Sequence, residues 1–461
     1  MIQERCSCEV IRQTQLATAD GDLKSGSCIR ISMCDHRRRI VFTFLVSYWL
    51  ATQAVAQHVP MIQPIAYSLP APPALMGPLA TNNVLAEAER VHQNLTKGPT
   101  SFVSFQDHLF TSTVDSKIYD LARCPPRLIA NLSPPGCVGK YQCGQLTSLR
   151  LYPATGHLLA LDTFRGLFIV NPLTGKYWLL YSANTPVNGR LPVYLNDMVV
   201  TSNNAVIMSD SSDAYNVDND IYICMDGRPT GRLLTLDLST GAVAELLSGH
   251  FNFPNGLELT PDGDLLVAET CRAAIHRVSL KRSSWLNVGP FSLNLPGLPD
   301  NIRSSGRDTY WVAMSYARHS GVNNPLDQNS RIPDFRGMGF QWMSLQQLRN
   351  LFTKWGVVVE LDNTGAIIGS LHDPAGNTLS MITEVNEFGG VLNIGSHLVN
   401  YTTRFLLPAE SGIKTSIDSF IQIKRSRCEL PDSQVAGARR QLLQKEQGNL
   451  ASTLESAQSR M

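Results

Sequence analysis

The chain has 461 residues, of which 43% are hydrophobic and 17% charged, with a formal net charge of +1. That is length enough for one large all-β domain or two ordinary ones, and apolar residues enough for a full core. The near-neutral balance, without a long basic block, argues against nucleic acid as a partner.

The first 56 residues read as an N-terminal extension with a targeting segment. Arg37-Arg38-Arg39 precede an apolar run from Ile40 to Leu50, and Ala54-Val55-Ala56 follows. A basic stretch, an apolar stretch and small residues in this order make a secretory signal cleaved after Ala56. The alternative is an uncleaved type II anchor through residues 40–56, since about 17 residues is the short limit for a span. Met1 and Met33 are both candidate initiators. Either way the bulk of the chain is expected on the lumenal or extracellular side, secreted or membrane-anchored. Disulfides are allowed there. Cys137 and Cys143 flank the short loop of "CVGKYQC" and are expected to pair, whereas Cys124, Cys224, Cys271 and Cys428 have no assignable partners. Three sequons, at Asn94, Asn131 and Asn400, suit a secreted glycoprotein.

Residues 57–94 contain many Pro and Ala and read as a linker. From 95 to 427 strand-like pieces recur in pairs, "HLFTST" with "KIYDL" first and "VLNIGS" with "TTRFLL" last. "NPLTGK", "DLSTGA" and "DNTGAI" are three near copies of one hairpin turn, each with Gly where the backbone needs positive φ. Six such units, roughly 45–60 residues apart, predict a six-bladed β-propeller, all-β, with blades packed around a channel. Residues 321–356 break the pattern with helical spacing in "FQWMSLQQLRNLFTKW" and are expected to form a helical insertion over the channel mouth. A polar tail occupies 428–461.

Three segments carry polar residues in one phase: Asn196 and Asp197 in "VYLNDMVV", Asn255 in "NFPNGLELTPDG", Asp300 and Asn301 in "GLPDNIR". Each sits just before, or at the entry to, the first strand of a unit. In a propeller those points converge on one end of the axis. Carboxylate and amide oxygens meeting there suit a hard cation such as Ca²⁺.

The chain resembles the strictosidine synthase-like branch of the six-bladed propellers. The likeness is greatest to the animal adipocyte plasma membrane-associated protein and hemomucin group, with paraoxonases and gluconolactonases as remoter relatives. It rests on "DTFRGLFIVNP", "LNDMVV", "SDSSD", "TGRLLTLD", "FPNGLELTPDGDLLVAET", "LPGLPDNIR", "YWVAMS" and "SLHDP" and covers roughly residues 95–410. The resemblance implies a channel calcium held by Asn196, Asn255, Asp300 and Asn301, with Asp197 supporting a second, structural calcium. The glutamate such relatives supply from the first blade is here Thr100, which removes one formal charge and weakens the site. The resemblance also implies Glu384 as an acid/base residue of strictosidine synthase type, and Asp300 as a candidate base for hydrolysis. The paraoxonase histidine pair has no counterpart in the sequence. The expected function is a calcium-dependent hydrolase of small aryl esters or lactones. The rivals are a catalytically weak secreted or cell-surface binding glycoprotein and, ranked last, an amine–aldehyde condensing enzyme.

Overall fold

A computed structural model describes residues 64–123, 125–281 and 286–407. Cys124, Cys428, the targeting segment 1–56 and the tail 428–461 lie outside them. Among the described residues no helix is long and apolar enough to cross a membrane.

Six four-stranded antiparallel sheets form the blades of a β-propeller. Their innermost strands are Pro99–Phe105, Leu146–Tyr152, Leu195–Val200, Pro254–Leu259, Gly297–Ser304 and Glu384–Phe388, for blades 1 to 6. Alternation along the strands sends apolar side chains into the spaces between neighbouring sheets. Leu159 and Leu161 of blade 2, for instance, pack with Leu195, Met198, Val206 and Met208 of blade 3. Blade 6 closes the ring with strands from both ends of the domain. Its outermost strand is Glu89–Val91, which pairs antiparallel with Thr402–Leu406. Glu89 and Arg404 add an ion pair at 2.7 Å on that seam.

The three expected hairpin turns join the third and fourth strands of blades 2, 3 and 5. In each, an Asn or Asp side chain (Asn171, Asp237, Asp362) accepts backbone N–H groups two or three residues on, and Gly175, Gly241 and Gly365 follow at positive φ.

The supposed linker is not one from residue 64 onward. Residues 64–94 form a strap and then the closing strand. Ile65 N donates to Asp226 O and Tyr67 N to Ser330 O, while Leu79 and Leu85 enter the cores of blades 5 and 6. The Tyr67 ring is held between the guanidinium groups of Arg272 and Arg336, 4.1 and 4.8 Å from its centroid. Proline favours such an extended path, and the insertions supply the hydrogen bonds that a sheet would otherwise provide.

The insertion within 321–356 is helical, at Pro325–Asn329, Pro333–Trp342 and Leu345–Arg349, between the second and third strands of blade 5. A second helix, Asp220–Asp226, occupies the same place in blade 3 and was not foreseen. Cys224 within it is bonded to Cys271 of blade 4, and Cys137 is bonded to Cys143 as expected. Asn94, Asn131 and Asn400 are all exposed, as acceptor sites must be.

Candidate functional site

The polar residues expected just before or at the entry to the inner strands lie within those strands, Asn196 and Asn255 at the second position and Asp300 and Asn301 further in, at irregularities of the ladder. Register shifts fall at Pro99/Ser101, Leu146/Ser148, Leu195/Met198, Pro254/Leu257 and Pro299/Ile302. A bulge frees a residue from pairing and re-aims its side chain. Hydroxyls of the preceding blade then hold the freed backbone. Thr147 Oγ1 donates to Leu195 O at 3.1 Å, Ser211 Oγ to Pro254 O at 2.8 Å and Thr270 Oγ1 to Pro299 O at 2.7 Å. Gly256 is required at this level, because a Cβ there would lie 2.6 Å from the backbone of Asp300 and Asn301.

The result is a ring of polar residues, one per blade: Thr100, Thr147, Asn196, Asn255, Asp300 and Thr383. All six, with Asn301, line a cavity of about 280 Å³ at one end of the channel. The sequence-predicted ligands Asn196, Asn255, Asp300 and Asn301 are therefore brought together, and Thr100 shares their wall. The amide groups have their N–H₂ ends engaged from behind. Asn196 Nδ2 donates to Ser211 Oγ, Asn255 Nδ2 to Thr270 Oγ1 and Asn301 Nδ2 to Glu384 Oε2, at 3.0, 3.1 and 3.3 Å. The carbonyl oxygens of Asn255 and Asn301 are buried with no partner. Among the described residues, the Asp300 carboxylate accepts no hydrogen bond and has no ion pair. Burial pushes its pKa well above the usual carboxylate range, and the nearby charges of Glu384, Asp220 and Asp197 push it further.

Asp197 and Glu384 are not on the cavity wall. They lie in a fully buried layer beneath it, bridged by Arg303. Nη1 of Arg303 is 2.7 Å from Asp197 Oδ2, and Nη2 is 2.6 Å from Glu384 Oε2. Asp197 also accepts from Ser148 Oγ at 2.6 Å, Leu257 N at 2.8 Å and Arg150 Nη2 at 3.3 Å. Asp197, which the resemblance assigns to a second calcium, is thus paired with two guanidinium groups. Burial raises the Asp197 pKa, but Arg303 and Arg150 together outweigh it and hold the carboxyl below its ordinary value. Glu384 has only a share of Arg303, so burial pushes it up to about 7 against that attraction.

The cap closes the opposite side of the cavity. Asp218 and Asp220 precede or begin the blade 3 helix, Arg349 ends the blade 5 insertion, and Lys140 comes from the disulfide-closed loop. Arg349 Nη2 bonds Asp220 Oδ1 at 2.5 Å, and Lys140 pairs with Asp218. His397 also lines the wall, and burial holds its pKa below the ordinary imidazole value. Sequence reasoning missed it. The available signal was its position just past the second strand of blade 6, the end at which Ser211 and Thr270 of other blades also face inward. His372 and Asp373 lie elsewhere. His372 Nδ1 accepts from Trp355 Nε1, and Asp373 caps the turn at Thr378 and Leu379. A side cavity of about 500 Å³ adjoins the first and shares Tyr316, Arg349 and His397 with it.

No three His, Cys, Asp or Glu side chains converge among the described residues. The wall therefore suits zinc poorly. Its donors are oxygens, mostly neutral, with one carboxylate, and they fit a hard cation weakly held.

The strictosidine synthase family model matches residues 196–283, from the bulge of blade 3 into the loop that follows the third strand of blade 4. The adipocyte plasma membrane-associated protein of Rattus norvegicus is 34% identical over 351 residues, 75% of this chain and 93% of the rat protein. Strictosidine synthase-like protein 2 of Arabidopsis thaliana is 31% identical, over 65% of this chain and 84% of the plant protein. A gluconolactonase structure from Xanthomonas campestris overlies 75% of this chain and 99% of its own, at a TM-score of 0.47 and 13% identity. By its identity to the rat and plant proteins the chain belongs to the adipocyte plasma membrane-associated proteins of the strictosidine synthase-like family.

Proposed function

We propose that the cavity is a calcium-assisted hydrolytic site for small aryl esters or lactones. The observation that carries this reading is the set of unpartnered oxygens on one wall: the amide carbonyls of Asn255 and Asn301 beside the unpaired Asp300 carboxylate. Leaving such atoms buried and unsatisfied is costly, and a cation relieves the cost. Asn196, Asn255, Asp300 and Asn301 would hold the ion, with the Thr100 hydroxyl as a weak addition. Bound calcium would supply Lewis-acid polarisation of the substrate carbonyl. The base is better assigned to His397 than to Asp300, because a carboxylate committed to a cation is a poor base, whereas burial keeps His397 neutral. Tyr194 and Phe253, with ring centroids 5.7 Å apart, give the same wall an aromatic surface for the organic part of the substrate.

Titration of the detergent-solubilised full chain with calcium should give one binding event, and phenyl acetate hydrolysis should be lost on chelation and restored by calcium. Calcium binding without turnover would replace the enzyme by the rival reading, a binding glycoprotein. Thr100 favours that rival, since it brings no charge and is already bonded to Ser112 Oγ at 2.9 Å. Thr100→Glu is expected to tighten calcium binding by about tenfold or more, given that charge count sets affinity. An unchanged affinity would mean that position 100 does not face the ion. The condensing-enzyme reading ranks last, because it needs Glu384 at the ligand while that carboxylate is bonded to Arg303 below the wall.

The compartment follows the same logic. Two disulfides favour an oxidising environment, and the relatives are named as plasma membrane-associated. We assign the propeller to the lumenal or extracellular side, with residues 40–56 as signal or anchor and membrane association through them.

A further inference from the structure

The longest helix of the cap is inside out. Helix Pro333–Trp342 buries Arg336 and exposes Phe335, Met338 and Trp342. Arg336 is 2% exposed, whereas Phe335 is 56%, Met338 54% and Trp342 65% exposed. The buried side is accounted for. Arg336 donates to the main-chain oxygens of Met225, Ile65, Ser330 and Asn329 and stacks on Tyr67. The guanidinium clamps the strap and the blade 3 helix to this insertion, and no apolar residue could replace that set of bonds. Phe335, Met338 and Trp342, spaced three and four apart, then fall on one outward face. Ile332, just before the helix, is exposed as well. Contiguous apolar surface of this kind marks an interaction site.

We propose that this stripe rests in the interfacial region of a lipid bilayer. The path of the chain selects that occupant. The described residues begin at Pro64, which lies against Gly337 of the same helix, its ring 3.8 Å from where a Cβ on that glycine would sit. Residues 57–63 separate it from the anchor segment read at residues 40–56. Seven residues span at most about 25 Å, so a run held in a bilayer keeps that bilayer within reach of the stripe. The residue types also fit. Phe, Met and Trp supply buried area, and Trp is favoured at the headgroup boundary. Arg331 and Asp334 beside the stripe are both exposed and of opposite sign. Attachment therefore depends on apolar area, and zwitterionic lipid suffices.

The test uses the full chain reconstituted in phosphatidylcholine vesicles with and without doxyl-labelled lipid. Tryptophan emission is compared between wild type and Trp342→Phe, so that every other tryptophan, including Trp49 of the apolar run, cancels. Wild type should be quenched more, with at least half of the Trp342 contribution lost. The double variant Phe335→Asp, Met338→Asp should stay on the vesicles and keep its melting temperature while Trp342 loses its quenching. Equal quenching of wild type and Trp342→Phe overturns the proposal. So does a lipid-independent, concentration-dependent dimer that the double variant abolishes, since the stripe would then belong to a second copy of the chain.

Discussion

Asp300→Asn should abolish calcium-dependent hydrolysis and, in the same protein, raise the melting temperature of the calcium-free form. The two effects have one cause. The Asp300 carboxylate is surrounded by Glu384, Asp220 and Asp197, and burial alone already disfavours its charge. Without a cation the channel resists its ionised form, so a neutral amide of the same shape, which has no charge to lose, favours the calcium-free state by a few degrees. In the proposed calcium site it would be the one charged ligand. Its loss should weaken binding by about a hundredfold or more, because affinity follows ligand charge. Wild type at a hundred times its dissociation constant gains about 2.7 kcal/mol from calcium; the variant should gain almost nothing at the same concentration. The melting curves of the two proteins should therefore cross in order between chelator and calcium. A variant less stable than wild type in chelator would show that Asp300 has a stabilising partner. A retained calcium increment would remove it from the ligand set.

That prediction depends on residues visible in the sequence, at the entry to inner strands, though not on the bulges that aim them. The blade count, the Thr-Gly hairpins and the blade 5 insertion were legible because each is local: a period of two, a turn residue at positive φ, a helical spacing. The polar pairs were legible as a shared phase. Their setting inside bulged strands was not, because a bulge is fixed by hydroxyls from the previous blade. Ser211 and Thr270 lie 43 and 29 residues from the carbonyls they hold. Long-range partners also explain the other differences. The 64–94 segment has a linker's composition and becomes a strap only because the insertions accept its hydrogen bonds. Cys224 pairs with Cys271 across 47 residues, a separation that no spacing rule predicts. Arg303, in "DNIRS", carries no local signal of its role. Its importance follows from the convergence of blades 3, 5 and 6 on one buried point.

The largest loss of stability should come from that point. Arg303→Gln leaves Asp197 and Glu384 in a fully buried layer without their shared guanidinium. Removing one partner of a buried ion pair costs about 3–5 kcal/mol, and here two carboxylates lose the same partner. The loss should depend on pH, with a definite sign. In wild type Glu384 titrates near 7 when folded, against about 4.3 when unfolded. The folded state binds the extra proton between those values, so its contribution is fully present below the unfolded value and fades as pH rises through 7. Asp197 acts in the opposite sense, because its folded pKa is depressed; its contribution is present above the unfolded value near 3.9 and fades as pH falls toward the folded one. Without Arg303 the depression of Asp197 rests on Arg150 alone, and both groups move toward protonation. Denaturant unfolding at about pH 8 and about pH 5 should then show the full deficit at the higher pH and a smaller one at the lower. A deficit equal at both values would mean that Arg303 acts through packing alone. Adding Glu384→Gln to the variant should recover part of the loss at pH 8, by removing one of the two stranded charges. The cavity should feel the change too. The Glu384 oxygen that accepts from Arg303 also accepts from Asn301 Nδ2, and that bond leaves the Asn301 carbonyl free for the cavity. Calcium affinity should therefore fall in Arg303→Gln even at acid pH, where the fold is least affected, because the buried cation below orients the oxygens above it.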